Sequence, residues 1–347
     1  MIPVQKREQI AFEVIRTLVS RFNSFPADVS GNRNAPFHEA FLKAFALKLE
    51  DKVPDLPFFI SLSSWLHGLN TTLGQSFFEN VAHILSDGEK RDFSKDNGNL
   101  ADITNAQKKA ISDIVTDLKN GNLSPNLARE NAILQSAARE GQLVEANKFT
   151  ADVFIEDDNE IVAIELKTVK PNAGEMRGEK QKILEAKASL FRKYPGKRIA
   201  FFLGFPFDPT SETPTGYDKR RFLRSIIDGE KYWAMEEVLL AGELWDWLSG
   251  DEQAMEQILD IINRIATPEF IDHYNFLSNI ANRGKEGYVE LLQKWGLVSE
   301  LFLVERHEQL QNRLTTTRDR RVYNQSMFKR HRYNYERYFH LKELLAY

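Results

Sequence analysis

Cysteine is absent from all 347 residues. That excludes disulfides, zinc-thiolate sites and cysteine nucleophiles, and suits the cytoplasm, which is the expected compartment. Long apolar runs are missing as well. Stretches such as Ile199-Ala-Phe-Phe-Leu203 fall far short of the ~20 residues a membrane helix needs, so no membrane partner is expected. The N-terminus scatters acids and bases through an apolar helical pattern, which is not a signal peptide. No Gly-x-Ser-x-Gly elbow accompanies Ser61, Ser63, Ser64 and His67, so their segment reads as a polar lining or as buried hydrogen bonding, not as a hydrolase site. Internal repeats and low-complexity tracts are also lacking.

What remains is an ordinary globular composition, 42% hydrophobic and 28% charged, long enough for one large or two modest domains. The charge is unevenly placed. Residues 306–342 hold ten Lys/Arg against Glu308, Asp319 and Glu336, a stretch of +7 that leaves −11 on the remainder of a chain whose net charge is −4. A polyanion responds to the local patch more than to the total. Within this stretch Arg318, Arg320, Arg321, Lys329, Arg330 and Arg332 alternate with rings and amides, a pattern suited to phosphate and guanine contact. A second basic cluster, Lys219, Arg220, Arg221 and Arg224, opens a helix after the Pro/Thr-rich loop 206–218; it could meet phosphates or simply begin a surface helix.

Residues 148–170 carry the chemistry. Runs rich in β-branched and aromatic residues at 149–155 and 160–166 flank Asp157-Asp158-Asn159, the signature of a β-hairpin. Asp and Asn tolerate the left-handed backbone that a tight turn demands. With Asp158-Asn159 as the turn, Asp157 pairs with Glu160 and the ladder sets Asp152 opposite Glu165. Alternation puts Lys167 on the same face. Two carboxylates at roughly 5 Å Cβ separation repel each other, and a divalent cation would relieve that. Magnesium takes one or two carboxylates plus phosphate and water. It acts as a Lewis acid on a phosphoryl oxygen and lowers the pKa of bound water. Lys167 could orient or help deprotonate that water and offset charge on the phosphate. Other acid-x-Lys triplets, Glu50/Lys52, Asp117/Lys119 and Glu185/Lys187, fall in helical patterns; only Glu165/Lys167 sits in a strand with a second acid across a turn.

Asp152 with Glu165-Leu166-Lys167 resembles the motif of the PD-(D/E)xK nuclease superfamily, departing from it at Ala151, where proline is frequent. Together with Asn32-Arg-Asn-Ala-Pro-Phe-His-Glu-Ala-Phe41 and the stretch Ser61–Asn80, the chain resembles type II restriction endonucleases of the TdeIII-like family over roughly residues 20–205. The resemblance implies Mg2+-dependent cleavage of double-stranded DNA at a short palindrome, with GGNCC-like sites associated with the family. It also implies a homodimer, since a two-fold site is most simply cut by a two-fold pair. In related nucleases a helical glutamate can complete the metal site; Glu79, among the aromatics of the helix expected over 74–86, is that candidate, an exposed helical Glu being the alternative. A repair or junction-resolving nuclease, or a non-catalytic DNA-binding protein, would share many of these features.

The expected fold is α/β (α+β): a restriction-endonuclease-like core of a mixed sheet flanked by helices, with a largely helical C-terminal region. Residues 1–73 are read as an N-terminal helical region, 74–227 as the nuclease core and 228–347 as helices ending in the basic tail. Helices are expected at 5–22, 37–49, 106–119, 126–140 and from 175 to about 194, a buried strand at 198–205, and loop through 87–105. Gln181 and Lys182 are read as solvated, though one turn into their helix they could approach the hairpin. His38 is read as a helix-start or packing residue.

Overall fold

The computed structural model describes residues 1–26, 56–168 and 173–346. The stretch Asn32–Phe41, His38, the helix expected at 37–49 and the Glu50/Lys52 pair lie outside the described residues. By packing, the chain divides into two compact units. A sheet unit comprises residues 1–2 and 78–257, and a helical unit comprises 3–77 and 258–347.

Nine strands occur among the described residues: β1 (Glu89–Phe93), β2 (Ile103–Thr104), β3 (Leu143–Val144), β4 (Phe149–Glu156), β5 (Glu160–Leu166), β6 (Arg198–Phe205), β7 (Val238–Leu240), β8 (Phe328–Lys329) and β9 (Arg332–Tyr333). The sheet unit is built on a five-stranded sheet in the order β1-β4-β5-β6-β7. β1, β4 and β5 run antiparallel, whereas β5, β6 and β7 run parallel, so the sheet is mixed as expected. A parallel β5–β6 pair cannot be joined by a tight turn. The crossover is the Ala173–Lys193 helix.

Ile161, Val162, Ala163 and Ile164 of β5 are all at most 4% exposed, so both faces of this strand are covered. That is why it reads as a continuous apolar run and not as an alternating one. Glu165, in the same strand and only 8% exposed, is the anomaly. The Thr104 hydroxyl accepts from the Gln107 N–H at 3.0 Å and the Gln107 side chain returns the bond to the Thr104 N–H at 2.9 Å, a capping box that starts the Asn105–Asn120 helix.

Two expectations need correcting. The stretch 87–105 is not all loop: it contains edge strand β1 and short β2. β1 is Glu-Lys-Arg-Asp-Phe, and charged edge strands carry no apolar alternation to betray them. β7 interrupts a stretch read as helical, its three residues being too few to establish a period. The basic C-terminal stretch lies in the helical unit. It is divided among short helices and the β8–β9 hairpin, and Arg337 is buried against Glu300 with nitrogens at 2.6 and 3.1 Å from its two oxygens.

Candidate active site

β4 and β5 pair with Val153 opposite Ile164 and Glu156 opposite Ile161. The same register pairs Asp157 with Glu160, whose carbonyl accepts from the Asp157 N–H at 3.0 Å. One step beyond Val153 at the other end, Asp152 comes opposite Glu165, and its Oδ2 accepts from the Leu166 N–H at 2.9 Å. The register expected from sequence is therefore the one observed. The turn closes differently. Neither Asp158 nor Asn159 takes a positive φ. Instead Asp157 Oδ1 accepts from the N–H groups of Asn159 (2.8 Å) and Glu160 (2.7 Å), an Asx turn that needs no left-handed residue.

β1 shapes the other side of Asp152. Its ladder with β4 pairs Glu89 with Phe154 and Arg91 with Ala151, so β4 has two residues, Asp152 and Val153, where β1 has only Lys90. Such a bulge re-aims a side chain. Lys90 Nζ lies 3.3 Å from Asp152 Oδ1 and 3.0 Å from Glu79 Oε2, on the Phe78–Ser86 helix. His83 on that helix donates through Nε2 to the Asp152 carbonyl at 2.7 Å, tying helix to strand. Burial opposes the charge on Lys90, but Glu79 and Asp152 outweigh it and raise its pKa.

Glu165 and Lys167 meet as expected, Nζ to Oε1 at 3.1 Å. Two residues of the Ala173–Lys193 helix complete a ring of alternating charge. Glu179 Oε1 is 3.0 Å from Lys167, and Lys182 Nζ is 3.0 Å from Glu165 Oε1. The expectation that Lys182 is merely solvated is thus corrected, while Gln181 is exposed as read. Burial raises the pKa of the Glu165 carboxyl, helped by the charge of Asp152, while Lys182 and Lys167 pull it down. Burial pulls Lys167 down, yet Glu165 and Glu179 hold its ammonium above the usual lysine value. Lys167 is a cation in this arrangement.

Among the described residues, no three His, Asp or Glu side chains converge tightly enough to form a metal cage. Lysine ammoniums stand between the carboxylates, and Glu79 reaches Asp152 only through Lys90. The donor set still suits a hard cation. Asp152 and Glu165 offer oxygens on paired strands, Lys90 already bridges two acids as a cation would, and buried Glu179 Oε2 accepts no hydrogen bond among the described residues, facing the Lys182 ammonium at 3.6 Å. The sequence reading missed Lys90 and Glu179. A short, mostly charged edge strand gives no signal for the first, and the Glu179-x-x-Lys182 spacing shows only that those two share a helix face, not that the face meets the hairpin.

The basic candidates fall into two groups. In the sheet unit Lys219 is 2.7 Å from Glu243, Arg224 is 2.9 Å from Glu230, and Arg221 donates to Thr210 at 3.1 Å, leaving Arg220 exposed. In the helical unit Arg318, Arg320 and Arg321 lie exposed on the Thr317–Tyr323 helix, and Lys329, Arg330 and Arg332 lie exposed on the β8–β9 hairpin. The other two decoy triplets within the described residues, Asp117/Lys119 and Glu185/Lys187, are helical as expected.

The family model described as "Type II restriction endonuclease, HinfI" matches residues 5–266. The type II restriction enzyme MjaII of Methanocaldococcus jannaschii is 44% identical over 369 residues, covering 99% of this chain and 98% of the relative. No helix among the described residues is long and apolar enough to cross a membrane. The restriction-endonuclease class implied by the wider resemblance therefore holds, though not its TdeIII-like detail, and with it a DNA substrate and site-specific deoxyribonuclease activity. With that model matching most of the chain and this relative aligned along nearly all of it, the chain belongs to the HinfI family of type II restriction endonucleases.

Proposed function

We propose that Asp152, Glu165 and Lys167 form the catalytic centre of a Mg2+-dependent restriction endonuclease that cuts double-stranded DNA at a short palindrome, a GGNCC-like site being the candidate. Enzymes of this class generally use a divalent metal. Asp152 and Glu165 would hold it, with Glu79 close by once Lys90 swings clear; Lys90, with its side chain 47% exposed, has room to do so. Bound there, Mg2+ would supply Lewis acidity toward the phosphate and toward a water. The chain's own contribution is electrostatic and geometric. Lys167, kept protonated by Glu165 and Glu179, serves best as a fixed positive charge that orients the attacking water and stabilises charge building on the phosphate. Glu179 and Lys182 hold Lys167 and Glu165 in place. The Lys219–Arg224 and Arg318–Arg332 cations are the proposed DNA contacts, a homodimer the working form and the cytoplasm its compartment.

The observation that carries this reading is Asp152 opposite Glu165 with Lys167 alongside. The test is a digest of a sequenced plasmid by wild type and Lys167→Ala, with Mg2+ and with chelator. Wild type should give discrete fragments only with Mg2+. Lys167→Ala should bind DNA yet cut at least about 10³-fold more slowly. Undiminished cutting by Lys167→Ala would reject the residue assignment, and full cutting in chelator would reject the metal.

A further inference from the structure

A cation that already faces an acid has less to offer a polyanion than one that does not. Lys219 and Arg224 have acid partners in the sheet unit, and Lys329 is 2.8 Å from Glu336 in the helical unit. Arg330 and Arg332 are exposed and pair with no acid among the described residues. They sit on a ribbon with two unlike faces. Register pairs Phe328 with Tyr333 and Lys329 with Arg332. The first pair is buried, Tyr333 stacking on Phe12 with ring centroids 4.2 Å apart and Phe328 lying 5.0 Å from Tyr274. The second pair faces solvent. Between them, the turn consists of Arg330 (φ 51°) and His331 (φ 63°), both left-handed. A two-residue turn with both φ positive is the place for Asn-Gly. Histidine tolerates that backbone better than most side chains, and His331 meets the Tyr274 hydroxyl at 3.4 Å, but arginine is a residue that local stability alone would not select there.

We infer that the β8–β9 hairpin is the sequence-reading element: its tip enters the major groove of duplex DNA, and Arg330 and Arg332 donate to guanine edges. A two-stranded ribbon fits that groove, and arginine bidentate to guanine O6 and N7 is the commonest specific contact. Phosphate contact alone would need only a flat basic face, whereas these cations sit on a two-stranded turn whose inner face is packed on aromatic rings. The inference rests on the proposed DNA-cutting function and divides the labour, with chemistry in the sheet unit and reading in the helical unit.

The test uses full-length protein and the site mapped from the wild-type plasmid digest. Arg330→Asn/His331→Gly installs the relaxed turn and keeps the ribbon, and Arg332→Ala sits at a regular strand position should the turn variant fail to fold. Affinities are measured in a Lys167→Ala background, for a duplex bearing the mapped site and for a scrambled duplex. Each hairpin variant should lose about 10- to 100-fold on the site and less than about threefold on the scrambled duplex. Equal losses on both would make the hairpin a phosphate contact, and no loss on either would take it off the DNA; each overturns the inference. If the wild-type digest gives no discrete fragments, it is the parent nuclease reading that fails, and this assignment falls with it.

Discussion

A lysine taken out of water must find acids or hold its proton less tightly, and the Ala173–Lys193 helix holds one example of each. Lys180, fully buried, lies 2.6 Å from Glu130 and 2.7 Å from Glu237, over the Trp233 ring. Lys187, equally buried, has no hydrogen-bond partner in the structure, and burial lowers its pKa to about 8. Unfolded lysine titrates near 10.5. Between these values the unfolded chain holds a proton that the folded chain does not, so stability should climb as pH rises from about 8 toward 10.5. Below about pH 8 the whole penalty is present, of order 3 kcal/mol at most. Lys187→Met should therefore stabilise the protein at pH 7 and flatten that climb, checked by denaturant unfolding between pH 7 and 10. A destabilised variant with an unchanged pH profile would contradict it. Lys167 is the opposite case: its two acids keep it charged despite burial, and that difference separates a site cation from a core amine.

Among elements, legibility followed the strength of the local signal. β4 and β5 were readable because their apolar runs are bounded by a turn cluster, and their register followed from turn length alone. β1 was not, since its order comes from its neighbours: Arg91 reaches Glu156 at 2.8 Å and caps the Phe154 ring, and the Thr150 hydroxyl donates to Asp92 at 2.6 Å. The charged side chains of such an edge strand also discourage pairing with another chain. Thr104 shows how much can hang on one hydroxyl. Besides capping the Asn105–Asn120 helix, it donates to the Ala137 carbonyl at 2.8 Å and so ties two helix ends together. Thr104→Ala should cost about 1–2 kcal/mol of stability, read by denaturant unfolding, with DNA cutting at permissive temperature unchanged. A loss of cutting in the folded variant would mean that this helix belongs to the site.

At the scale of the whole molecule, the palindromic target proposed above would call for two copies of a 40.1 kDa chain. Light scattering on the Mg2+-loaded protein with a mapped-site duplex should therefore give a protein mass of about 80 kDa, twice that of the chain. A single chain per cut site would sink the symmetric reading. Sequence by itself determined the hairpin, its register and the meeting of Asp152, Glu165 and Lys167, because a two-residue period and a short turn leave one way to align two strands. It also located the basic surplus near the C-terminus. Only the tertiary structure decided that Lys90, Glu179 and Lys182 join the site, that Arg337 is a buried partner of Glu300, and that Arg330 and His331 form a strained tip. Lys90 and Asp152, Glu179 and Lys167, Lys182 and Glu165, and Arg337 and Glu300 are each 12 or more residues apart in sequence. Their placement is set by packing between elements, which no local pattern encodes.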